Sequence, residues 1–281
     1  MSTTAIWIDG RVADAVSALD RGLHYGDGLF ETIACSGGRA QLLPLHLARL
    51  RRGCERLDLP VPEEQTLRRE IDAALEADPE AVLKLILTRG SAAWRGYAYP
   101  PGQPARRLLL RYPRSAPDPA AAVAGVRVRL GRLRLGENPA LAGIKHLNRL
   151  EQVLARREWS DAAIAESLLF SAGGALVSGT MSNVFLVRAG ALATPRLERC
   201  GVEGVMRATV AQLAVAAGID FREAQLGPDD LAQAEEIFLT NALIGIHPVR
   251  ELAGRELSVG PRTQQLQRRL AQHLATEAGR G

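Results

Sequence analysis

The sequence predicts an α+β chain of two domains, and three observations predict it. Short apolar runs flank tight-turn residues, as hairpins require, and between them lie segments whose apolar residues recur every three or four positions, as helices require. The stretch "PRSAPDPAAAV" at residues 113–123 carries three prolines and no apolar periodicity, which marks a linker. The 281 residues, 47% hydrophobic and 23% charged, suffice for two domains that each bury a core. The expected division is a smaller N-terminal domain over 1–113, a linker over 114–122, and a larger C-terminal domain over 123–281 that carries Lys145.

Taken in order, "AIWIDGRVADA" reads as a hairpin about Asp9-Gly10, a favoured two-residue turn. "GLFETIACSGGRAQLL" reads as a second hairpin turning at "SGG". "PLHLARLRRGCERLDL" has helical spacing with Pro44 suited to a first turn, and "PEEQTLRREIDAALEA" places its acids early in a helix. "AVLKLILTRG" and "ARRLLLRY" read as strands, the first buried on both faces. Beyond the linker come a strand "GVRVRL", the stretch about Lys145, and a helix ending near Trp159. Strand-turn-strand units follow, broken at "SAGG" and "RAG". The helix "GVMRATVAQLAVAAG", the strands "IDFREA" and "EIFLTN", and the helix "PRTQQLQRRLAQHLATEA" complete the chain.

The formal charge is +4 and the pI about 9.3, from 35 basic against 31 acidic residues. The excess is scattered. Its densest runs, "HLARLRRGCERL" and "LQRRLAQHL", carry Arg at helical spacing and read as solvated faces. With aromatics at 4%, no nucleic-acid partner is expected. Cys35, Cys54 and Cys200 are too far apart for CxxC or Cys/His ligand spacing, so neither a disulfide framework nor a metal site is expected, and they read as small buried hydrophobes. The start of the chain lacks a secretory pattern, and no apolar run approaches the roughly 20 residues that span a bilayer. The expected setting is cytoplasmic, away from membranes.

Only Lys84 and Lys145 are lysines; the remaining 33 of the 35 basic residues are Arg. A chain that writes almost every cation as Arg gives weight to each Lys. A lysine amine can lose its proton and attack a carbonyl, whereas a guanidinium stays charged. The demanding use is a Schiff base with a carbonyl substrate or with pyridoxal phosphate. Residue counting alone leaves Lys145 open between that role and a surface role, and leaves Lys84 as a snorkelling or paired strand cation. A phosphate-bearing cofactor needs an anion cradle. Gly201 and Gly204 before an apolar helix, Thr240 and Asn241 at a strand end, and Arg49 in "HLARL" are candidates, each weak alone.

"DRGLHYGDGLFET", "GIKHLNRLEQVL", "SGTMSNVFLV", "GVEGVMR" and "EIFLTNALIGIHPV" occur in this order across the chain. Together they resemble the class IV aminotransferase family, whose members use pyridoxal 5'-phosphate in the two-domain fold type IV shared with D-amino-acid aminotransferases. Within it, "GIKHLNRLEQVL" and "TRGSAAWRGYAYP" are most similar to the aminodeoxychorismate lyases. The resemblance implies that Lys145 is the cofactor lysine and that Arg49 grips the cofactor phosphate. It implies that the backbone amides of Val205 and Met206, after Gly204, hold that phosphate with Thr240. Asn183 would shape the pocket near the pyridine ring. Tyr25, Phe30, Arg95, Tyr97 and Asn241 would serve the substrate side, with Arg95 and Tyr97 on a carboxylate. It also implies a homodimer acting on a small molecule, aminodeoxychorismate. His24, His146 and Asp27 are expected to be structural, Asp27 as a turn residue, and strand alternation allows only one of Glu31 and Thr32 to face the site.

The family usually has Glu-Gly-Thr-x-Ser-Asn, with Glu paired to the ring nitrogen; Ser178 stands at that place here. A hydroxyl supports a protonated ring nitrogen less than a carboxylate does, which favours elimination over transamination. Alternatively, another acid such as Glu166 reaches the site. The expected activity is release of pyruvate from 4-amino-4-deoxychorismate to give 4-aminobenzoate. The alternatives are a D-amino-acid or branched-chain aminotransferase and an inactive relative.

Overall fold

Asp9 and Gly10 both adopt positive φ, 51° and 79°, as a type I′ turn demands. That turn joins β1 (Ala5–Ile8) to β2 (Arg11–Val12) in a computed structural model that describes residues 4–99, 101–115 and 118–279. The chain forms two compact units. One is built from the chain as far as Ser115 together with Ile144–Asn148. The other runs to Gly143 and again from Arg149 to Thr276.

In the first unit the order continues with α1 (Arg21–Tyr25), β3 (Gly28–Ser36), β4 (Arg39–Ala40), α2 (Leu43–Leu57), α3 (Glu64–Leu75), β5 (Ala81–Thr88) and β6 (Arg106–Pro113). The strands make one antiparallel sheet in the order β2-β1-β6-β5-β3-β4. Strand alternation sorts its faces. Leu29, Ile33, Leu83, Leu85, Leu87 and Leu109 are buried, as are Leu47, Leu50, Leu67 and Ile71 of the two long helices. An added Cβ at Gly53 of α2 would lie 2.7 Å from the Leu29 side chain, so β3 and α2 pack closely. The opposite face carries the half-buried Phe30, Thr32, Val82, Lys84 and Ile86. This strand β5 is therefore two-faced, where an all-buried strand was expected.

The second unit contains α4 (Pro119–Ala124), β7 (Val126–Leu135), α5 (Leu150–Arg156), β8 (Ile164–Ser171), β9 (Leu176–Ser178), β10 (Asn183–Arg188), β11 (Ala191–Pro195), α6 (Val205–Ala216), β12 (Phe221–Ala224), α7 (Pro228–Gln233), β13 (Glu236–Asn241), β14 (Gly245–Leu252), β15 (Arg255–Glu256) and α8 (Pro261–Gly279). Its sheet runs β12-β11-β10-β13-β14-β7-β8-β9, with β15 on β14, and mixes parallel and antiparallel pairs. Val128, Leu168, Val184, Leu186, Ile237, Leu239 and Val249 form one core cluster, and Leu135, Leu169, Val177 and Leu197 a second. Phe185 and Phe238, cross-strand partners, stack at 4.9 Å. Each such buried ring contributes about 1.5–3 kcal/mol by removal from water.

Two local expectations differ from the structure. The stretch expected as a linker includes α4, whose N-cap Asp118 accepts from the Ala120 amide and whose first residue is Pro119. Lys145, expected with the C-terminal domain, lies on a segment that packs with the first unit. Phe30 N–H donates to the Lys145 carbonyl at 2.9 Å and Leu147 N–H to the Gly28 carbonyl at 3.0 Å. The short β4 pairs with only Cys35 and Ser36, leaving the beginning of β3 an edge for this pairing.

Candidate active site

Backbone pairing with β3 sets the Lys145 side chain beside the strand's half-buried face. Its Nζ lies 4.3 Å from the centroid of the Phe30 ring. Lys84, opposite Thr32 on β5, brings its own Nζ to 5.5 Å from the same centroid. Both lysines of the chain thus converge on one aromatic ring, an arrangement in which each ammonium meets the negative π face.

The other face of β3 presents Glu31, 1% exposed, to α2. Arg49 donates to both its oxygens, from Nε at 2.8 Å and from one terminal nitrogen, and His46 Nδ1 lies 2.6 Å from it. Burial pushes the Glu31 carboxyl up. The charge and hydrogen bonds of Arg49, with those of His46, outweigh burial and bring it to about 2. Burial pushes His46 below its ordinary value against the pull of Glu31, and the charges of Arg49 and Lys145 add to the depression. The ring is therefore neutral beside an ionised carboxylate. Its proton sits on Nδ1, and the lone pair on Nε2 is buried without a hydrogen-bond partner. Alternation settles the earlier choice: Glu31 faces the helix and Thr32 the other side. Arg49 stands out in the sequence and His46 does not, although their spacing of three places both on one helix face.

Tyr25 ends α1, and its hydroxyl accepts from the Gly96 amide at 3.3 Å. Its ring meets that of Tyr97 edge-on at 5.4 Å. Tyr97 is 81% exposed and Arg95 is exposed as well. Asp27 does more than shape a turn: its carboxylate takes Arg21 at 2.9 Å and Arg89 at 2.8 Å. His24 lies 2.6 Å from the Ala18 carbonyl, a structural contact.

In the second unit, Asn183 and Thr240 are cross-strand partners on β10 and β13. Asn183 Nδ2 donates to the Val202 carbonyl at 2.9 Å, and a Cβ added at Gly204 would lie 2.1 Å from Asn183 Oδ1. Gly204 is the N-cap of α6, and no side chain caps that helix, whose first residues Val205 and Met206 are buried. A helix start approached closely by backbone and without a capping side chain is suited to an anion. Thr240 is fully buried and its hydroxyl donates to the Gly245 carbonyl at 2.6 Å. Asn241 Oδ1 accepts from the Leu243 and Ile244 amides, and its Nδ2 donates to the Met181 carbonyl. The side chains of Thr240 and Asn241 thus make the hydrogen bonds of the β13–β14 turn.

Ser178 Oγ donates to the Gly179 carbonyl at 2.8 Å. Glu166, the alternative acid, is committed elsewhere. One of its oxygens accepts from the Ser167 amide and from the amide and hydroxyl of Thr180, and the other from the Met181 amide and the Ser182 hydroxyl. Its work is to hold the loop between β9 and β10. Burial pushes the Cys35 thiol up to about 12 and those of Cys54 and Cys200 to about 11, so neutral pH leaves them protonated. Among the described residues no group of three His, Cys, Asp or Glu gathers as a metal site, and no helix is long and apolar enough to cross a membrane.

The amino-transferase class IV family model matches residues 28–252. The chain belongs to this family. It is 47% identical to the 4-amino-4-deoxychorismate lyase of Pseudomonas aeruginosa, whose crystal structure superposes with a TM-score of 0.92 over 96% of this chain and 99% of that one. It is 31% identical over 270 residues to the aminodeoxychorismate lyase of Vibrio harveyi, covering 96% of this chain and 99% of that protein. The crystal structure of a branched-chain aminotransferase from Thermoproteus uzoniensis matches with a TM-score of 0.85 at 25% identity, over 97% and 95% of the two chains. The fold is fold type IV and the protein is a pyridoxal 5'-phosphate-dependent enzyme. Its residues fit that cofactor. The first unit offers the primary amine of Lys145 and a buried His46 lone pair without a partner; the second offers, by itself, an uncapped helix start at α6 behind Gly204, where an added Cβ would meet Asn183.

Proposed function

We propose that this protein is a 4-amino-4-deoxychorismate lyase, converting its substrate to 4-aminobenzoate and pyruvate. One observation carries the reading: the end-to-end match to the Pseudomonas aeruginosa lyase at 47% identity, against 25% for the branched-chain aminotransferase. Lys145 would hold the cofactor through Nζ; Arg49 and the amides of Val205 and Met206 would bind its phosphate, with Gly204 leaving room. Asn183, which also holds the loop before α6, would shape the pocket near the pyridine ring, Thr240 would add a contact to the phosphate, and Asn241 would serve the substrate side. Phe30 lies beneath the Lys145 amine, and Tyr25, Arg95 and Tyr97 serve the substrate side.

The bound cofactor supplies an electron-withdrawing group joined to the substrate's amine. Lys145, released as a neutral amine, takes the proton from the ring carbon bearing that amine. That C–H electron pair becomes a ring double bond while the neighbouring C–O bond breaks and enolpyruvate leaves with its pair. Lys145 or water protonates the enol carbon, giving pyruvate, and the ring becomes aromatic. The substrate's two carboxylates suit a site provided with Arg. We extend the proposal to a homodimer, as the family resemblance implies, and to a cytoplasmic setting, as the sequence pattern suggests.

Purified protein mixed with chorismate, glutamine and an aminodeoxychorismate synthase is expected to yield 4-aminobenzoate; absence of product sinks the reading. Lys145→Arg is expected to lower turnover by at least about three orders of magnitude with the fold intact by circular dichroism. Lys145→Ala is expected to lose the yellow absorbance of the loaded protein. The shared fold makes an aminotransferase the second reading, scored by an amino donor with 2-oxoglutarate. Ser178→Glu is expected to raise that side activity, because a carboxylate holds a ring nitrogen protonated where a hydroxyl does not; no gain counts against the role given to Ser178.

A further inference from the structure

Three consecutive backbone carbonyls converge on one buried guanidinium. Arg21, 4% exposed, donates from one terminal nitrogen to the Gly96 and Ala98 carbonyls at 3.0 and 3.2 Å and from the other to the Tyr97 carbonyl at 2.9 Å. Its Nε donates to Asp27 at 2.9 Å. Its guanidinium carbon lies 4.9 Å from the Tyr25 ring centroid, and the Tyr25 hydroxyl accepts from the Gly96 amide. Arg89 anchors the base of this assembly. It pairs with the same Asp27, donates to the Leu57 and Asp58 carbonyls, and stacks 3.8 Å from the Tyr99 ring. The loop so gripped carries Gly96 at φ +120° and would otherwise be free to vary.

This construction is hard to explain as core packing, because what it holds out is exposed: Trp94 is 50% and Tyr97 81% accessible, with Arg95 between them. Burying a guanidinium is costly unless its donors are met, and here four hydrogen bonds from its three nitrogens go to one carboxylate and three carbonyls of the loop. Ordering a flexible residue costs conformational entropy, which a ligand must overcome if the protein has not already done so. Resting on the lyase reading above, we propose that Arg21 is a positioning residue for the substrate: it holds residues 94–99 in one conformation so that Arg95 and Tyr97 form a preorganised surface for a substrate carboxylate. A lysine keeps the charge at position 21 but not the planar fork that reaches three carbonyls and Asp27 together.

The test compares wild type, Arg21→Lys, Arg95→Gln and Tyr97→Phe. Steady-state kinetics use aminodeoxychorismate. Calorimetry uses chorismate, which presents the same two carboxylates without the reactive amine. Arg21→Lys is expected to raise KM, and the Kd for chorismate, by about tenfold with kcat within about twofold. Hydrogen exchange at the amides of 94–99 is expected to quicken. Arg95→Gln is expected to raise KM and Kd comparably, with a smaller effect from Tyr97→Phe. An Arg21→Lys protein with a lowered thermal midpoint but unchanged KM and Kd overturns the proposal, as does an unchanged Kd in both Arg95→Gln and Tyr97→Phe. If wild type makes no 4-aminobenzoate yet binds chorismate, the lyase reading falls by itself, and the Kd series still decides whether the clamp presents an anion site.

Discussion

Glu31 is the residue on which the first unit's buried charge balance turns. It meets Arg49 through two hydrogen bonds and His46 through a third, with almost no exposure to water. Removing one partner of such a pair leaves the other as an uncompensated buried charge. Glu31→Gln is therefore expected to destabilise the protein by on the order of 3–5 kcal/mol in urea unfolding. A loss under about 1 kcal/mol would show that Arg49 has its charge balanced by other groups. At this scale the sequence was only partly legible. The scarcity of lysine singled out Lys145, but nothing local showed that Lys84 shares its aromatic ring. Asp27 read as a turn residue because its two guanidinium partners, Arg21 and Arg89, are separated in the chain and meet only by folding.

At the scale of elements, the start of α6 shows a glycine required by space rather than by backbone angle. Gly204 has φ −66°, open to any residue, yet an added Cβ would lie 2.1 Å from Asn183 Oδ1. The asparagine cannot easily retreat, since its amide nitrogen holds the Val202 carbonyl. Gly204→Ala is expected to cost about 1–3 kcal/mol and to weaken retention of the cofactor's absorbance on dialysis. Adding Asn183→Ala is expected to recover part of the stability, a non-additivity that marks direct contact. If the two changes simply add, the clash is not the cause. Helix α6 itself was legible from apolar spacing, as were the hairpin at Asp9-Gly10 and α2. Helix α4 was not, because its six residues span less than two turns and its prolines outweighed the Asp118 cap and Pro119 start.

For the whole molecule, stability is expected to decline with acid in two stages. His46 and His247 have pKa values lowered by burial from an ordinary value near 6.5, so an unfolded chain takes up their protons where the folded one does not. Stability is full above about 6.5 and falls as pH drops below it. The Glu31 carboxyl, at about 2 against an ordinary 4.5, adds a second loss that grows as pH falls from 4.5 toward 2. Urea midpoints measured from pH 8 to pH 4 check this: a steady fall is expected below 6.5, and a flat profile between pH 7 and pH 5 would show that both imidazoles charge without cost in the fold.

By itself the sequence determined the α+β class, the turns, the long helices and the single lysine set among the motifs of a family, because turn residues and apolar periods act over a few neighbours. Only the tertiary structure decided which face of β3 carries Glu31, that Ile144–Asn148 joins the strand beginning at Gly28, and that Glu166 is spent on its own loop. These follow from pairing and desolvation between segments distant in the chain. Water withdraws from a group only once all its neighbours are in place, so charge state and partner choice are settled by packing and not by any local stretch.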